Sequence, residues 1–531
     1  MDFFVPGVLS ETAENNVRIH GFLPWEGGEG GRLFVKLFKA ASPTERVKAL
    51  FFGHKAMREF RAGRYLTRRD VRTPAVLAVG LERGGSGRAI LVFEEAKGTE
   101  SVHRLLEMGR IADLPVILEG LSDITATLHD AGFSHRDYHV GNILAPSEDL
   151  RDLVVIDLHR ASHPRSMSGR RGLENIADLL QSVTPDGDPA IIRPFLARYL
   201  KRRPGVSWEM SVGAAYVQRR IAARERRRLI SRTKRCFKNS TDYFAARTRG
   251  WVLFGRRAAF VDSGRDMAAA FDDILALVRR IEAGEGEVVK DDTKARVVLL
   301  PGKNGEVCVK TYERLSVWER ARACVRMSRG HRSWRAARGL IIRGFSVPEP
   351  VALLVRKRLG VPKAVSLVTD SIGRLAAMEL DRFILANQEN RDVLTGVVSA
   401  AARLLGLVHR QSIYHRDLKA VNIAVRTSPE ADRPELLLLD LDAVTFGDRL
   451  PAASMAKNLA QLYLSTPSVI CGELRRLFFS EYQDMLGDDG VAKRVCDILA
   501  GLVRGEDILY VSPEGDVIES AAVLFQELFE E

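Results

Sequence analysis

Hydrophobic and polar positions along the chain change rhythm in a recurring order. Residues 32–38, Arg-Leu-Phe-Val-Lys-Leu-Phe, alternate and are rich in strand formers, so they predict a strand from which Lys36 projects. The stretch from Lys55 to Leu66 reads as a helix carrying Glu59, and Ala89 to Glu95 as another strand. Residues 114–130 have helical apolar periodicity and lead through Gly132 into a polar loop. Beyond that loop, the four apolar residues before Asp157 read as a short buried strand. The cluster Gly27-Gly28-Glu29-Gly30-Gly31 ahead of the first strand reads as a hairpin turn.

Farther along, the succession returns. Glu306-Val307-Cys308-Val309-Lys310 follows Asn304-Gly305, a strong hairpin signal, and Leu437-Leu438-Leu439 runs into Asp440. The two polar loops match in chemistry: His135-Arg136-Asp137-Tyr138-His139-Val140-Gly141-Asn142, then His415-Arg416-Asp417-Leu418-Lys419-Ala420-Val421-Asn422. Asp137 and Asp417 lie 280 positions apart, Asp157 and Asp440 283, and Lys36 and Lys310 274, as do Pro74 and Pro348. A common offset of this kind marks an internal duplication. At 531 residues the chain is long enough for more than one core. We expect a first domain over 1–207, a basic helical linker over 208–250 and a second domain over 251–531.

A His-x-Asp, four residues, an Asn and then a strand-end Asp is the layout of a protein-kinase-like phosphotransferase. In it the first Asp, here Asp137 or Asp417, accepts the acceptor hydroxyl's proton. The Asn and second Asp, Asn142 with Asp157 or Asn422 with Asp440, hold Mg²⁺ on the phosphates of ATP. A strand Lys paired with a Glu on the next helix fixes the α- and β-phosphates, which assigns Lys36 with Glu59. Taken singly, Glu59 would be a helix-surface residue and Asp157 an ordinary strand-end carboxylate. The expected fold class is α+β: two tandem protein-kinase-like domains, each a small β-rich N-lobe and a helical C-lobe.

Parts of a regulated protein kinase are missing. No Gly-x-Gly-x-x-Gly loop occurs in residues 1–26, which leaves the covering of the phosphates unexplained. Asp157 is followed by Leu158-His159 rather than Phe-Gly, and no Ala-Pro-Glu closes an activation segment.

Composition narrows the setting. With 46% hydrophobic and 28% charged residues, the chain is of the ordinary globular kind. Its five cysteines are scattered and lack paired metal spacing, which points to a reducing compartment, and no secretory signal opens the sequence. No uninterrupted apolar run reaches 18 residues; residues 392–409 come nearest and contain Arg403. The expected location is cytoplasmic. A net charge of +12 favours an anionic partner. From Gln218 to Ser240 ten Lys or Arg face one acid, Glu225. That stretch is either a solvated basic helix or a helix resting on an anionic membrane at the inner face of the cytoplasmic membrane. No aromatic interleaving accompanies it, so no nucleic acid is expected.

Leu128-His129-Asp130-Ala131-Gly132-Phe133-Ser134-His135-Arg136-Asp137 and Val155-Ile156-Asp157-Leu158-His159-Arg160-Ala161 closely resemble the lipopolysaccharide core kinases. These bacterial enzymes phosphorylate heptose or Kdo sugars and have a protein-kinase-like fold. The resemblance continues through Arg170–Leu180 and Phe195–Tyr199; it covers about 30–240 and, more loosely, 295–490. It implies Lys36 and Glu59 for nucleotide binding, Asp137 as base, and Asn142 with Asp157 for metal. His139 is similar to the His of aminoglycoside and choline phosphotransferases, and Lys419 to the Lys with which Ser/Thr kinases steady the transferring phosphoryl group. Arg160 would either neutralise phosphate on the acceptor or form a structural ion pair.

In the second unit, aligning Pro74 with Pro348 puts Ser333 opposite Glu59, so Lys310 lacks its usual anchor unless Glu313 or Glu319 substitutes. Asp442, two residues after Asp440, could compete for metal. Three functions stay open: a kinase of a lipopolysaccharide-core or other glycan or lipid-linked acceptor, a Ser/Thr protein kinase, and a regulatory tandem pseudokinase.

Overall fold

The structure is a computed structural model that describes residues 9–14, 18–25, 31–39, 53–82, 88–162, 166–248, 250–261, 267–292, 295–302, 305–312, 327–358, 361–428, 433–504, 506–512 and 515–520. The chain forms two compact units, Met1–Arg227 and Arg228–Glu531. The stretch expected as a linker divides between them. Ala214, Val217 and Ile221 of the helix Met210–Lys234 lie in the first unit's core, and the strand Tyr243–Thr248 belongs to a sheet of the second.

The first unit begins with an antiparallel five-stranded sheet in the order Ser10–Glu14, Arg18–Trp25, Gly31–Phe38, Ala89–Glu94, Val76–Leu81. Alternation along Gly31–Phe38 divides its side chains between two faces. Leu33, Val35 and Leu37 join one cluster with Ile19, Leu23, Ile90 and Val92. Phe34 and Phe38 join another with Ala56 and Phe60 of the helix Lys55–Thr67. Lys36 therefore faces that helix, as its alternation predicts. Of the predicted glycine hairpin, 27–31, residues 27–30 lie outside the described residues, and the strands on either side pair from Trp25↔Gly31 inward.

Small residues let the helix approach the sheet. Ala56, Ala62 and Gly63 are buried, and a Cβ on Gly63 would lie 2.4 Å from Val76 Cγ2. Below this layer the helix Leu114–Asp130 forms the centre of a helical core with Arg170–Leu180 and Pro189–Arg202.

The second unit repeats the plan with additions. Glu287–Asp291, Arg296–Gly302, Gly305–Tyr312, Val361–Asp370 and Pro350–Arg358 follow the first unit's strand order, and Trp251–Arg256 and Tyr243–Thr248 extend the last edge. The helix Met267–Glu282 covers one face of the sheet through Phe271, Ile274 and Val278, packed with Val298, Val309 and Leu354. The helix Arg391–Arg410, which contains the run 392–409 interrupted by Arg403, is long and apolar enough to cross a membrane by length and composition. Half of its apolar window is buried, and Leu394, Val397, Leu405 and Val408 join the helical core.

Candidate functional site

The site of the first unit is a polar loop held by a buried network. His129, at the end of its core helix, bonds the Tyr199 hydroxyl at 2.7 Å and Asn175 Oδ1 at 3.2 Å. Asn175 Nδ2 donates to the His135 carbonyl at 2.7 Å. His135 in turn receives the Asp137 amide on Nδ1 at 3.2 Å and reaches the Ile156 carbonyl with Nε2 at 3.1 Å. One neutral imidazole, protonated on Nε2, satisfies both contacts. Burial lowers the pKa of His135 and pushes that of His129 down to about 3.

The network places Asp137 and Asn142. Asn142 Nδ2 donates to the Asp137 carbonyl at 2.9 Å and lies 3.1 Å from His139 Nε2, while His139 Nδ1 caps the turn from the Gly141 amide at 3.1 Å. The Ile156 amide donates to the Asn142 carbonyl at 3.0 Å, which ties this loop to the one carrying Asp157. The expected four-residue strand before Asp157 is shorter, Val154–Val155, because Ile156 makes this loop contact and Asp157 turns into the left-handed region at φ 60°. Arg160 Nη1 lies 3.3 Å from Asp137 Oδ2 in an exposed contact.

Charge converges on Asp157. Lys36 Nζ bonds Glu59 Oε1 at 2.6 Å and lies 3.4 Å from Asp157 Oδ1, so the predicted strand–helix pair forms. Glu59 is fully buried, and its Oε2 has no partner. His159 Nδ1 sits 3.0 Å from Asp157 Oδ1. Arg18, which no motif in the sequence marks, grips both Asp157 oxygens at 2.8 and 3.1 Å. Burial by itself would raise the pKa of Asp157, but His159, Arg18 and Lys36 outweigh it and hold the group far below the ordinary carboxylate range. Glu59, Asp157 and His159 offer ligand atoms within 4.8 Å of one another. With the Asn142 amide nitrogen committed, its oxygen faces no described partner. Carboxylate and amide oxygens are the donors a hard divalent ion such as Mg²⁺ takes, so the donor set fits one.

The second unit repeats the scaffold. His409 bonds Tyr482 at 2.8 Å and Asn458 at 3.4 Å, Asn458 Nδ2 donates to the His415 carbonyl, and His415 Nε2 reaches the Leu439 carbonyl at 2.9 Å. Asn422 Nδ2 donates to the Asp417 carbonyl at 2.8 Å, and the Leu439 amide bonds the Asn422 carbonyl at 2.8 Å. Lys419 Nζ is 3.5 Å from Asp417, and Asp440 has φ 45°.

The lysine site differs. Ser333 is buried in the helix Arg329–Ile341, 3.5 Å from the Tyr312 hydroxyl, and Lys310 bonds Asp440 directly at 2.6 Å. Burial opposes the charge on Lys310, but Tyr312 and Asp440 raise its pKa to about 12. Asp442 is raised by burial first and then by Asp440. Glu313 and Glu319, the candidate substitutes for Glu59, lie outside the described residues.

Residues 44–199 and 309–479 both match the model of the "Lipopolysaccharide kinase (Kdo/WaaP) family". Among curated proteins no match was found. Among solved structures, "WaaP in complex with acyl carrier protein" is 22% identical at TM-score 0.33, over 42% of this chain and 91% of that one. A co-crystal structure of WbdD with the kinase inhibitor LY294002 is 19% identical at TM-score 0.27, over 40% of this chain and 46% of that one. The chain thus spans less than half the length of WbdD.

Proposed function

The chain belongs to the lipopolysaccharide kinase (Kdo/WaaP) family and is a kinase, and from that premise we propose that it transfers the γ-phosphoryl group of ATP to a sugar hydroxyl of lipopolysaccharide core or a related glycan. The observation that carries this reading is Lys36, which reaches both Glu59 and Asp157 beside the loop that bears Asp137 and Asn142.

In this reading Lys36, anchored by Glu59, orients the α- and β-phosphates. Asp137 takes the proton of the attacking hydroxyl. Asn142 and Asp157 hold Mg²⁺, whose charge when bound offsets that of the phosphates. His139, capping the turn and touching Asn142, fixes the amide that faces the ion. Arg160, exposed beside Asp137, is placed to meet an anionic group on the acceptor. In the second unit Lys310, Asp417, Lys419, Asn422 and Asp440 take the corresponding roles. The basic helix Met210–Lys234 would rest on an anionic membrane surface, which places the protein at the cytoplasmic face of that membrane.

A second reading applies to the second unit alone: a regulatory pseudokinase, favoured by Ser333 in place of Glu59 and by the direct Lys310–Asp440 pair. ADP release from the full chain, Asp137→Asn and Asp417→Asn, with lipopolysaccharide core, a generic peptide and an aminoglycoside as acceptors, tests both. Core-dependent turnover lost in Asp137→Asn alone supports the glycan kinase with a regulatory second unit. Turnover on the peptide alone would overturn the acceptor class.

A further inference from the structure

We propose that Arg18 is the phosphate clamp of the first unit, exchanging its contact with Asp157 for the nucleotide's phosphates when ATP binds. This rests on the reading of the cleft as a nucleotide site with Asp157 as a metal ligand.

The fold puts Arg18 where a protein kinase covers its phosphates. It opens the strand Arg18–Trp25, whose hairpin partner Ser10–Glu14 is the edge of the sheet. Protein kinases place their glycine-rich loop in that first hairpin. Here the sequence between the strands is Asn15-Asn16-Val17, which has no glycine to let the backbone close on phosphate. A side chain is the alternative. Arg18 pairs with Phe38 and His20 with Lys36, so Arg18, His20 and Lys36 share the face that looks into the cleft. Burial first, then Arg18 and Lys36, keep the pKa of His20 below the ordinary histidine range.

The contact that Arg18 makes identifies its ligand chemistry. A guanidinium fork that fits two carboxylate oxygens fits two phosphate oxygens equally well. Both Asp157 oxygens are engaged by that fork, and Lys36 and His159 add to one of them. A carboxylate held in this way cannot also bind a metal ion through the same lone pairs. A divalent ion on Asp157 competes with that guanidinium for the carboxylate's charge, and the arriving polyphosphate is the anion able to take the arginine.

At the position matching Arg18 the second unit has an alanine. Val297 pairs with Lys310 and Arg296 with Thr311, so the next position along the pair sets Ala295 opposite Tyr312, where the first unit has Arg18 opposite Phe38. Ala295 is buried and apolar. Among the described residues no guanidinium reaches Asp440, and Lys310 closes onto it at 2.6 Å, whereas Lys36 stands 3.4 Å from Asp157.

The test uses the full chain carrying Lys310→Met and Asp440→Asn, so that only the first cleft reports. A fluorescent ATP analogue is titrated in EDTA and in Mn²⁺, and Mn²⁺ binding to the nucleotide-free protein is followed by electron paramagnetic resonance. Adding Arg18→Gln should weaken nucleotide binding in EDTA about tenfold or more, the scale of one charge-assisted bidentate contact. The same change should tighten Mn²⁺ binding to the empty cleft, because Asp157 is freed. A loss of fold would weaken both, so the opposite signs distinguish the clamp from a structural role. Arg18→Lys, which keeps the charge but not the fork, should fall between. Unchanged nucleotide binding in Arg18→Gln, or Mn²⁺ binding that stays level or weakens, overturns the clamp. If the background chain binds no nucleotide at all, the nucleotide-site reading falls and the clamp with it. If it binds, with the Mn²⁺ dependence abolished by Asp157→Asn, while Arg18→Gln has no effect, only the clamp falls.

Discussion

Lys310 and Asp440 stand 2.6 Å apart, the same distance that separates Lys36 from Glu59. The lysine has changed partner from the helix to the loop of Asp440. Two exchanges accompany the change. Ser333 stands for Glu59, and Asp442, 283 positions after His159, stands for that histidine. A carboxylate lost from the helix thus reappears beside Asp440.

The first pair is a buried one, and its removal should be costly. Lys36→Met leaves Glu59 fully buried with neither oxygen bonded. We expect a loss of about 3–5 kcal/mol, the scale for breaking a buried ion pair from one side. Lys36→Met combined with Glu59→Leu should recover most of it. Lys310→Met should be far milder, since the Asp440 side chain is 38% exposed. Urea unfolding of the full chain, read on each unit's transition, checks all three.

Removing the proposed base should separate chemistry from fold. Asp137→Asn keeps a side chain of the same shape in a half-buried position and loses the proposed proton acceptor. Turnover should fall roughly 10²–10⁴-fold, the range for general base catalysis, with nucleotide binding and thermal stability unchanged. Steady-state kinetics alongside nucleotide titration measures this.

Acid should loosen the scaffold before it touches the ion pairs. Burial pushes His129 down to about 3 and His409 to about 4, against about 6.5 in an unfolded chain. Between these values the unfolded chain binds protons that the fold refuses. Stability is therefore complete above about pH 6.5 and falls as pH drops towards 4, by up to about 1.4 kcal/mol per pH unit for each histidine. Unfolding free energies at pH 7, 6 and 5 should show this slope, and His129→Gln should remove one proton from it.

Packing between the helix Lys55–Thr67 and the sheet should tolerate no extra methyl. Gly63→Ala places its Cβ against Val76, at a cost of about 1–3 kcal/mol for overpacking. Because Glu59 is one turn earlier on that helix, nucleotide affinity should drop with stability, which a paired melt and titration would reveal.

The basic helix is testable apart from catalysis. Arg220 and Arg224 are engaged with Glu174 and Asp178, so surface charge rests on other positions, among them the exposed Arg219, Arg227, Lys234 and Arg235. Changing these four to Gln should reduce binding to phosphatidylserine vesicles by about 1 kcal/mol per residue in sedimentation assays. Equal binding would remove the membrane role.

Motif and periodicity made much of this legible. Lys36 was readable because alternation made it project from a strand, and Glu59 because the motifs around it call for a carboxylate on the next helix, although alone it read as a surface residue. Ser333 could be placed by the repeat alone. Arg18 could not, because it contacts Asp157 across 139 positions and its neighbours in sequence carry no motif. The partner of Lys310 was equally hidden, since removing Glu59's counterpart does not say which carboxylate replaces it. Unit boundaries escaped for a related reason: one unbroken helix, Met210–Lys234, contains the junction at Arg227, and local sequence does not register where a core ends.

The left-handed backbone at Asp157 and Asp440 governs how either site can be disabled cleanly. Of the nearly isosteric and truncating replacements, asparagine accepts that conformation readily, whereas alanine has to be forced into it. An alanine scan would then report a bent turn as though it were lost chemistry, so amide replacements are the controls from which the contribution of these carboxylates can be read.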